Sequence, residues 1–211
     1  ILKSIIISSG QKFDLGLFSI PFTVFCLVIF QNALNMYDGI NLQNILYFVF
    51  LIIIIILFFS FVDFYMYLLP VIVILSYLNF KNNLFLGDSG SYTVSFLISI
   101  LLIYLFNGTS LNMPSDLVFL FLCIPGYDLL RLAIFRILDK KHPFKGDKNH
   151  IHHLLIKKIG YFKTIVYLNL ICFAPILYSL ISKKNFYAVF ISLIIYIFTI
   201  IYFKNEKIYK K

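Results

Sequence analysis

The sequence predicts an all-α protein, a polytopic membrane helix bundle with about seven transmembrane helices forming a single integral membrane domain over residues 1–211. Three observations carry that prediction. Hydrophobic residues make up 61% of the chain and charged residues 13%, with a mean hydropathy of +0.94, outside the range of a soluble domain. Apolar runs close to spanning length, about 17–25 residues, fall at 17–34, 43–61, 64–80, 92–107, 116–135, 163–182 and 185–203. Within the runs apolar residues are continuous rather than alternating, which selects helices over a barrel.

Residues 1–16 mix β-branched and polar types around Gly10 and Gly16 and predict a short hairpin on the outer face. The chain begins at Ile1 without a signal-peptide pattern, and it is read as N-terminally truncated. The first span ends in N-A-L-N-M-Y-D-G-I-N, where Asn32, Asn35 and Asp38 recur every three residues and line one face of a helix end. Gly39 lets the chain turn and Asn41 projects beyond it. A plain helix C-cap built from Asn and Gly is the competing reading, although a cap needs only one or two such residues. The next two spans carry Asp63 between them and read as scaffold.

Two short runs then flank N-F-K-N-N-L-F-L-G-D-S-G-S, residues 79–91. An ionisable Asp88 among Gly87, Ser89, Gly90 and Ser91 at the mouth of a span is a functional candidate. The glycines admit a ligand to the backbone, the hydroxyls and N–H groups suit phosphate oxygens, and the carboxylate is a hard ligand for Mg²⁺. A polar turn joining two helices is the alternative. The fifth span ends in D-L-L-R, with Asp128 and Arg131 expected to pair at i, i+3. The loop 136–162 follows, with His150, His152 and His153 close behind Asp147 and Lys148, a patch of cations and donors suited to a diphosphate. A Zn²⁺ site is the rival there and would need a fourth ligand such as Asp147. Cys26, Cys123 and Cys172 lie inside apolar runs without metal-ligand spacing and read as small hydrophobes.

If residues 1–16 lie outside, the opposite side holds 14 of the 18 Lys and Arg, the positive-inside pattern for an odd number of spans. The protein is therefore expected in the plasma (inner) membrane with its C-terminus and active-site loops in the cytoplasm. Membrane orientation and anionic headgroups account for the net charge of +9, and no nucleic-acid partner is implied.

Three motifs thus stand in order, N-A-L-N-M-Y-D-G-I-N, L-F-L-G-D-S-G-S and H-P-F-K-G-D-K-N-H-I-H-H-L-L. Together they resemble the polyprenyl-phosphate N-acetylhexosamine-1-phosphate transferases, glycosyltransferase family 4. The P-F-x-x-D-x-x-H-x-H-H form of the last motif is closer to the undecaprenyl-phosphate N-acetylglucosamine-1-phosphate transferases. The resemblance implies transfer of a sugar-1-phosphate from a UDP-sugar to a membrane polyprenyl phosphate, with release of UMP, in cell-envelope polysaccharide or glycan synthesis. It implies Mg²⁺ as cofactor, with Mn²⁺ able to substitute. Asp38 and Asp88 would be catalytic, with Asp88 and Asn41 as metal ligands. Asn32, Asn35, Asn79, Phe85, Lys148, His150, His152 and His153 would bind substrate, Asn79 and Phe85 near the uridine and the histidines at the donor's diphosphate or sugar. A homodimer is the oligomer allowed for.

Two departures from the family pattern bear on activity. Where bacterial members have a second Asp-Gly, this chain has Asn41-Leu42, whose amide oxygen can still coordinate Mg²⁺. The adjacent Asp pair that the family carries upstream is absent, so these 211 residues alone are expected not to turn over. An inactive relative, a membrane scaffold or a transporter is the alternative. A transporter predicts ionisable groups at mid-membrane and an internal repeat, and neither is found.

Overall fold

A computed structural model describes residues 1–59, 63–108, 113–142 and 149–205. It is nearly all helical. A hairpin of β1 (Ser4–Ile6) and β2 (Lys12–Asp14), antiparallel with Ser4 opposite Asp14, precedes a single 3₁₀ turn at Gly16–Phe18. Helices α1 (Ser19–Tyr37), α2 (Gln43–Phe59), α3 (Asp63–Phe80), α4 (Gly87–Asn107), α5 (Ser115–Leu120), α6 (Cys123–Leu138), α7 (Ile151–Ile159), α8 (Tyr161–Ser182) and α9 (Asn185–Asn205) follow. Each predicted apolar run is largely helical where described, and among the described residues four helical segments are long and apolar enough to cross a membrane: Gly16–Tyr37, Gly87–Asn107, Tyr161–Ser182 and Asn185–Lys204. The other expected spans are shorter or broken: α2 has 17 described residues, and the fifth run is split into α5 and α6.

The split has a local cause. Pro125 has no N–H to donate, and its ring excludes the carbonyl four residues back from helical geometry. That carbonyl belongs to Phe121, and the buried Tyr47 hydroxyl of α2 donates to it. Proline sits in the first turn of α6, where the missing donor costs nothing.

The core is centred on α2, whose Phe48, Leu51, Ile52 and Ile55 are wholly buried and join α1, α4 and α8 in one apolar cluster. By contrast α1 and α9 leave Phe25, Val28, Phe190 and Phe198 exposed. Such an apolar outer face fits an environment of acyl chains, which bury it without a protein partner.

Polar groups gather at two ends of the bundle. At one end the hairpin is tied in: Leu2 N–H donates to Thr23 of α1, Asn107 of α4 donates to the Ile1 carbonyl, and Ile6 N–H donates to Ser115 of α5. At the other end lie the turn after α1, the turn after α3, the start of α4, α7 and the start of α8, held together by the bonds described next.

Candidate active site

The three motifs meet at this second end. Asp38 caps α1 and is half-buried, while Asp88 stands exposed in the first turn of α4, where the helix dipole favours a carboxylate. The polar stretch is in part a turn between α3 and α4, residues 81–86, and in part the start of α4, which begins at Gly87, whose φ of +60° suits glycine. Burial, and then the neighbouring charge of Asp88, push the Asp38 carboxyl up to about 6. Among the described residues neither carboxylate has a side-chain hydrogen bond or ion pair.

One helical turn deeper, Tyr92 shares the face of Asp88 and joins the two asparagines of α1. Its hydroxyl lies 3.3 Å from Asn32 Oδ1 and 3.3 Å from Asn35 Nδ2. The repeat at 32, 35 and 38 therefore forms the seam between α1 and α4. Tyr92 lay beyond the quoted motif and gave no signal in sequence.

Asn79, buried at the end of α3, joins two loops with one amide. Its Oδ1 accepts from Leu42 N–H at 2.6 Å and its Nδ2 donates to the Leu84 carbonyl at 2.8 Å. Asn41 is held likewise, its Nδ2 donating to Asn82 at 2.6 Å and its carbonyl accepting from Tyr161 at 2.7 Å. Leu42 has φ +68°, the left-handed region that a β-carbon disfavours by roughly 1–2 kcal/mol. The backbone here asks for glycine, the residue expected at this position of the motif, and the bond to Asn79 holds leucine in its place. Phe85 is 70% exposed at the rim of the same loop.

The histidines come from the start of α7, a helix too short to stand out within the long polar loop. His150 is its N-cap, and His152 is 2% exposed. The rings of His150 and His152 stack at 5.3 Å with 7° between planes, and His153 meets His152 edge-on at 4.3 Å. Burial, then His153 and His150, press His152 down to about 3, so its ring is neutral at physiological pH. That ring lies directly on Gly39, where a β-carbon would overlap Nε2 and Cε1. Asp38-Gly39 needs its glycine because the histidine motif occupies the space. Lys148 and Asp147 lie outside the described residues.

Asp128, expected only to pair with Arg131, does so at 2.7 Å and also organises α7. Its Oδ1 accepts from Tyr196 at 3.0 Å, and its Oδ2 accepts from His150 Nδ1 at 3.1 Å and Ile151 N–H at 3.3 Å. Arg131 donates onward to the Asn149 carbonyl. His150 Nδ1 is engaged by Asp128, and Asp147, the fourth ligand a Zn²⁺ site would need, lies outside the described residues.

The acidic corner suits a hard cation better. Two unneutralised carboxylates and the amide oxygen of Asn41 are the donor types that Mg²⁺ takes, usually with water and substrate phosphates completing its shell. Among the described residues there is no group of three His, Cys, Asp or Glu that could hold a metal ion.

Comparisons with known proteins agree with this arrangement. A model of the family described as glycosyl transferase family 4 matches residues 2–106. An undecaprenyl-phosphate alpha-N-acetylglucosaminyl 1-phosphate transferase of Thermotoga maritima is 33% identical over 113 residues, 53% of this chain and 36% of that protein. A probable undecaprenyl-phosphate N-acetylglucosaminyl 1-phosphate transferase of Bacillus subtilis is 31% identical over 154 residues, 69% of this chain and 43% of that protein. The Haemophilus influenzae counterpart is 26% identical over 126 residues. The chain thus spans well under half the length of these relatives. No solved structure matches.

Proposed function

Because the chain belongs to glycosyl transferase family 4, we propose that its protein transfers a sugar-1-phosphate, an N-acetylhexosamine-1-phosphate, from a UDP-sugar to a membrane polyprenyl phosphate. An oxygen of the lipid phosphate attacks the sugar-linked phosphorus, the bond to the UMP phosphate breaks, and UMP leaves. This reaction asks for positioning and charge neutralisation rather than covalent chemistry from the protein. Asp38, Asp88 and Asn41 would hold Mg²⁺, which supplies neutralisation of the phosphate charge. Asn32 and Asn35 line the seam below it. The histidine patch of α7, with Lys148, holds the donor diphosphate or sugar, and Asn79 and Phe85 set the loop that meets the uridine.

In this reading the chain makes seven passes in the plasma membrane, the shorter helices included, with the site end and C-terminus in the cytoplasm. The 14 basic residues on that side support the orientation. Asn83→Cys in a background without native cysteines tests it: labelling by an impermeant reagent from outside intact cells would reverse the assignment.

One observation carries the proposal: three motifs far apart in sequence meet at one end, with Asp88 acting on the charge of Asp38 and His152 seated on Gly39. The test is UMP release from UDP-N-acetylhexosamine and polyprenyl phosphate by protein expressed from its complete reading frame in membranes. Release that stops with a chelator and returns with Mg²⁺ is expected. No release under matched expression overturns the reading.

A further inference from the structure

The Asp128 carboxylate accepts four hydrogen bonds, two at each oxygen, and the two sides serve different elements. Oδ1 faces α6 and α9 through Arg131 at 2.7 Å and Tyr196 at 3.0 Å. Oδ2 faces α7 through His150 Nδ1 and the Ile151 N–H. An ionised carboxylate only accepts, so the proton in the contact with His150 sits on Nδ1 of the ring. Asp128 is 5% exposed and His150 8%, which leaves little room for water to supply another partner.

We infer that Asp128 is a positioning residue that fixes the proton of His150 on Nδ1. That placement leaves Nε2 as the nitrogen available to the donor substrate, and it orients the His150–His152 stack over Gly39. The inference rests on the proposed function, because the donor site is part of that reading. What it adds is the control: the ring is set from beneath by a residue that touches no substrate.

Asp128→Asn separates the two sides. An amide offers one oxygen and one NH₂, so it keeps only one pair of the four bonds. The cationic Arg131, with Tyr196, holds the oxygen, and the NH₂ then turns toward His150. Facing a donor, Nδ1 must accept, and the proton moves to Nε2. In serine protease triads the same acid-to-amide change leaves the wrong histidine tautomer.

The experiment has two arms on the protein expressed from its complete reading frame. The first reads the ¹⁵N shifts of His150 in nanodiscs, assigned by loss of its signals in His150→Gln. The wild type is expected to show protonated Nδ1, and Asp128→Asn is expected to exchange the Nδ1 and Nε2 shifts. Tyr196→Phe, which removes one bond on the far oxygen, should leave them unchanged. A wild type protonated at Nε2 alone overturns the inference whether or not Asp128→Asn folds, and so does an Asn variant with unchanged shifts. The second arm follows UMP release: Asp128→Asn should lose about 10- to 100-fold in kcat/KM, the range for orienting partners of functional histidines, with the larger share in KM for the UDP-sugar. Tyr196→Phe should stay within threefold of wild type. Absence of UMP release by the wild type would sink the functional reading alone, because the tautomer assignment stands or falls on the spectra.

Discussion

The Asp116 cluster at the hairpin end and the Asp38–Asp88 corner at the other end treat aspartate in opposite ways. At the hairpin end Asp116 has both oxygens satisfied: Oδ2 accepts from Ser8, and Oδ1 accepts from Leu117 N–H at 3.1 Å and from Asn185 at 3.3 Å. Asn185 in turn accepts from Ser179, so the cluster ties the hairpin, α5, α8 and α9 together. At the other end, among the described residues, Asp38 and Asp88 have no such donors, and burial, then the charge of Asp88, push the Asp38 carboxyl up to about 6. A carboxylate surrounded by donors is finished as structure. Carboxylates left without donors are stabilised by something that arrives, a cation or a proton.

The largest effect expected from that contrast is at Asp88. Asp88→Asn keeps the shape and removes a charge from the proposed cation site. UMP release should fall by roughly a hundredfold or more, on the order of 3 kcal/mol of transition-state stabilisation. Rates measured against Mg²⁺ concentration at matched expression check this. A variant within threefold of wild type with the same Mg²⁺ dependence would erase the distinction between the two ends.

The second test uses pH. His152 is held at about 3 when folded, against an ordinary value of 6.5, and it faces His150, His153 and, farther off, Asp128. A folded value below the unfolded one means the unfolded chain binds the extra proton. The stabilisation is therefore complete above about pH 6.5 and drains away as pH falls toward 3. Between pH 7 and pH 4 the loss should be about 3 kcal/mol. The acid-induced drop in thermal midpoint of wild type, less that of His152→Gln in the same lipid, isolates it. Equal drops in the two proteins would show that the ring takes up a proton freely.

Legibility followed the same division. Composition and continuous apolar runs made the helices visible, and of the repeat at 32, 35 and 38 the first two share one helical face through Tyr92 while Asp38 caps the helix. The long-range consequences were not readable. Nothing local in Pro125 says that the carbonyl it releases will be met by Tyr47. The nine-residue α7 hid among polar neighbours because its apolar face is too short for a periodic signal. Asp128 read as half of an ion pair because sequence shows i, i+3 neighbours and not a histidine 22 positions away. Gly39 looked like a turn residue, whereas its lack of a side chain is required by a ring from another motif.

Gly39→Ala probes that last contact and should have an intermediate effect. The added carbon overlaps the His152 ring, and overpacking of this kind costs about 1–3 kcal/mol. Stability should fall by that amount, and donor KM should rise because the histidine patch is displaced. In a His152→Ala background the same change should cost little. Stabilities of the four proteins in the double-mutant cycle measure the coupling, and additive losses would show that the ring and the glycine are independent.

The smallest effect is expected from repeating the acid-to-amide change at the opposite end. In Asp116→Asn the amide oxygen can still accept from Leu117 N–H and Asn185. The new NH₂ faces Ser8, whose hydroxyl can rotate from donor to acceptor, so no bond is lost in number. What disappears is the charge assistance in a half-exposed cluster, worth under about 1 kcal/mol. UMP release should remain within threefold of wild type, with a small fall in thermal midpoint. A large catalytic loss there, beside a silent Asp88→Asn, would place the chemistry at the hairpin end and invert the comparison, since the same atoms are exchanged at both positions and only their surroundings differ.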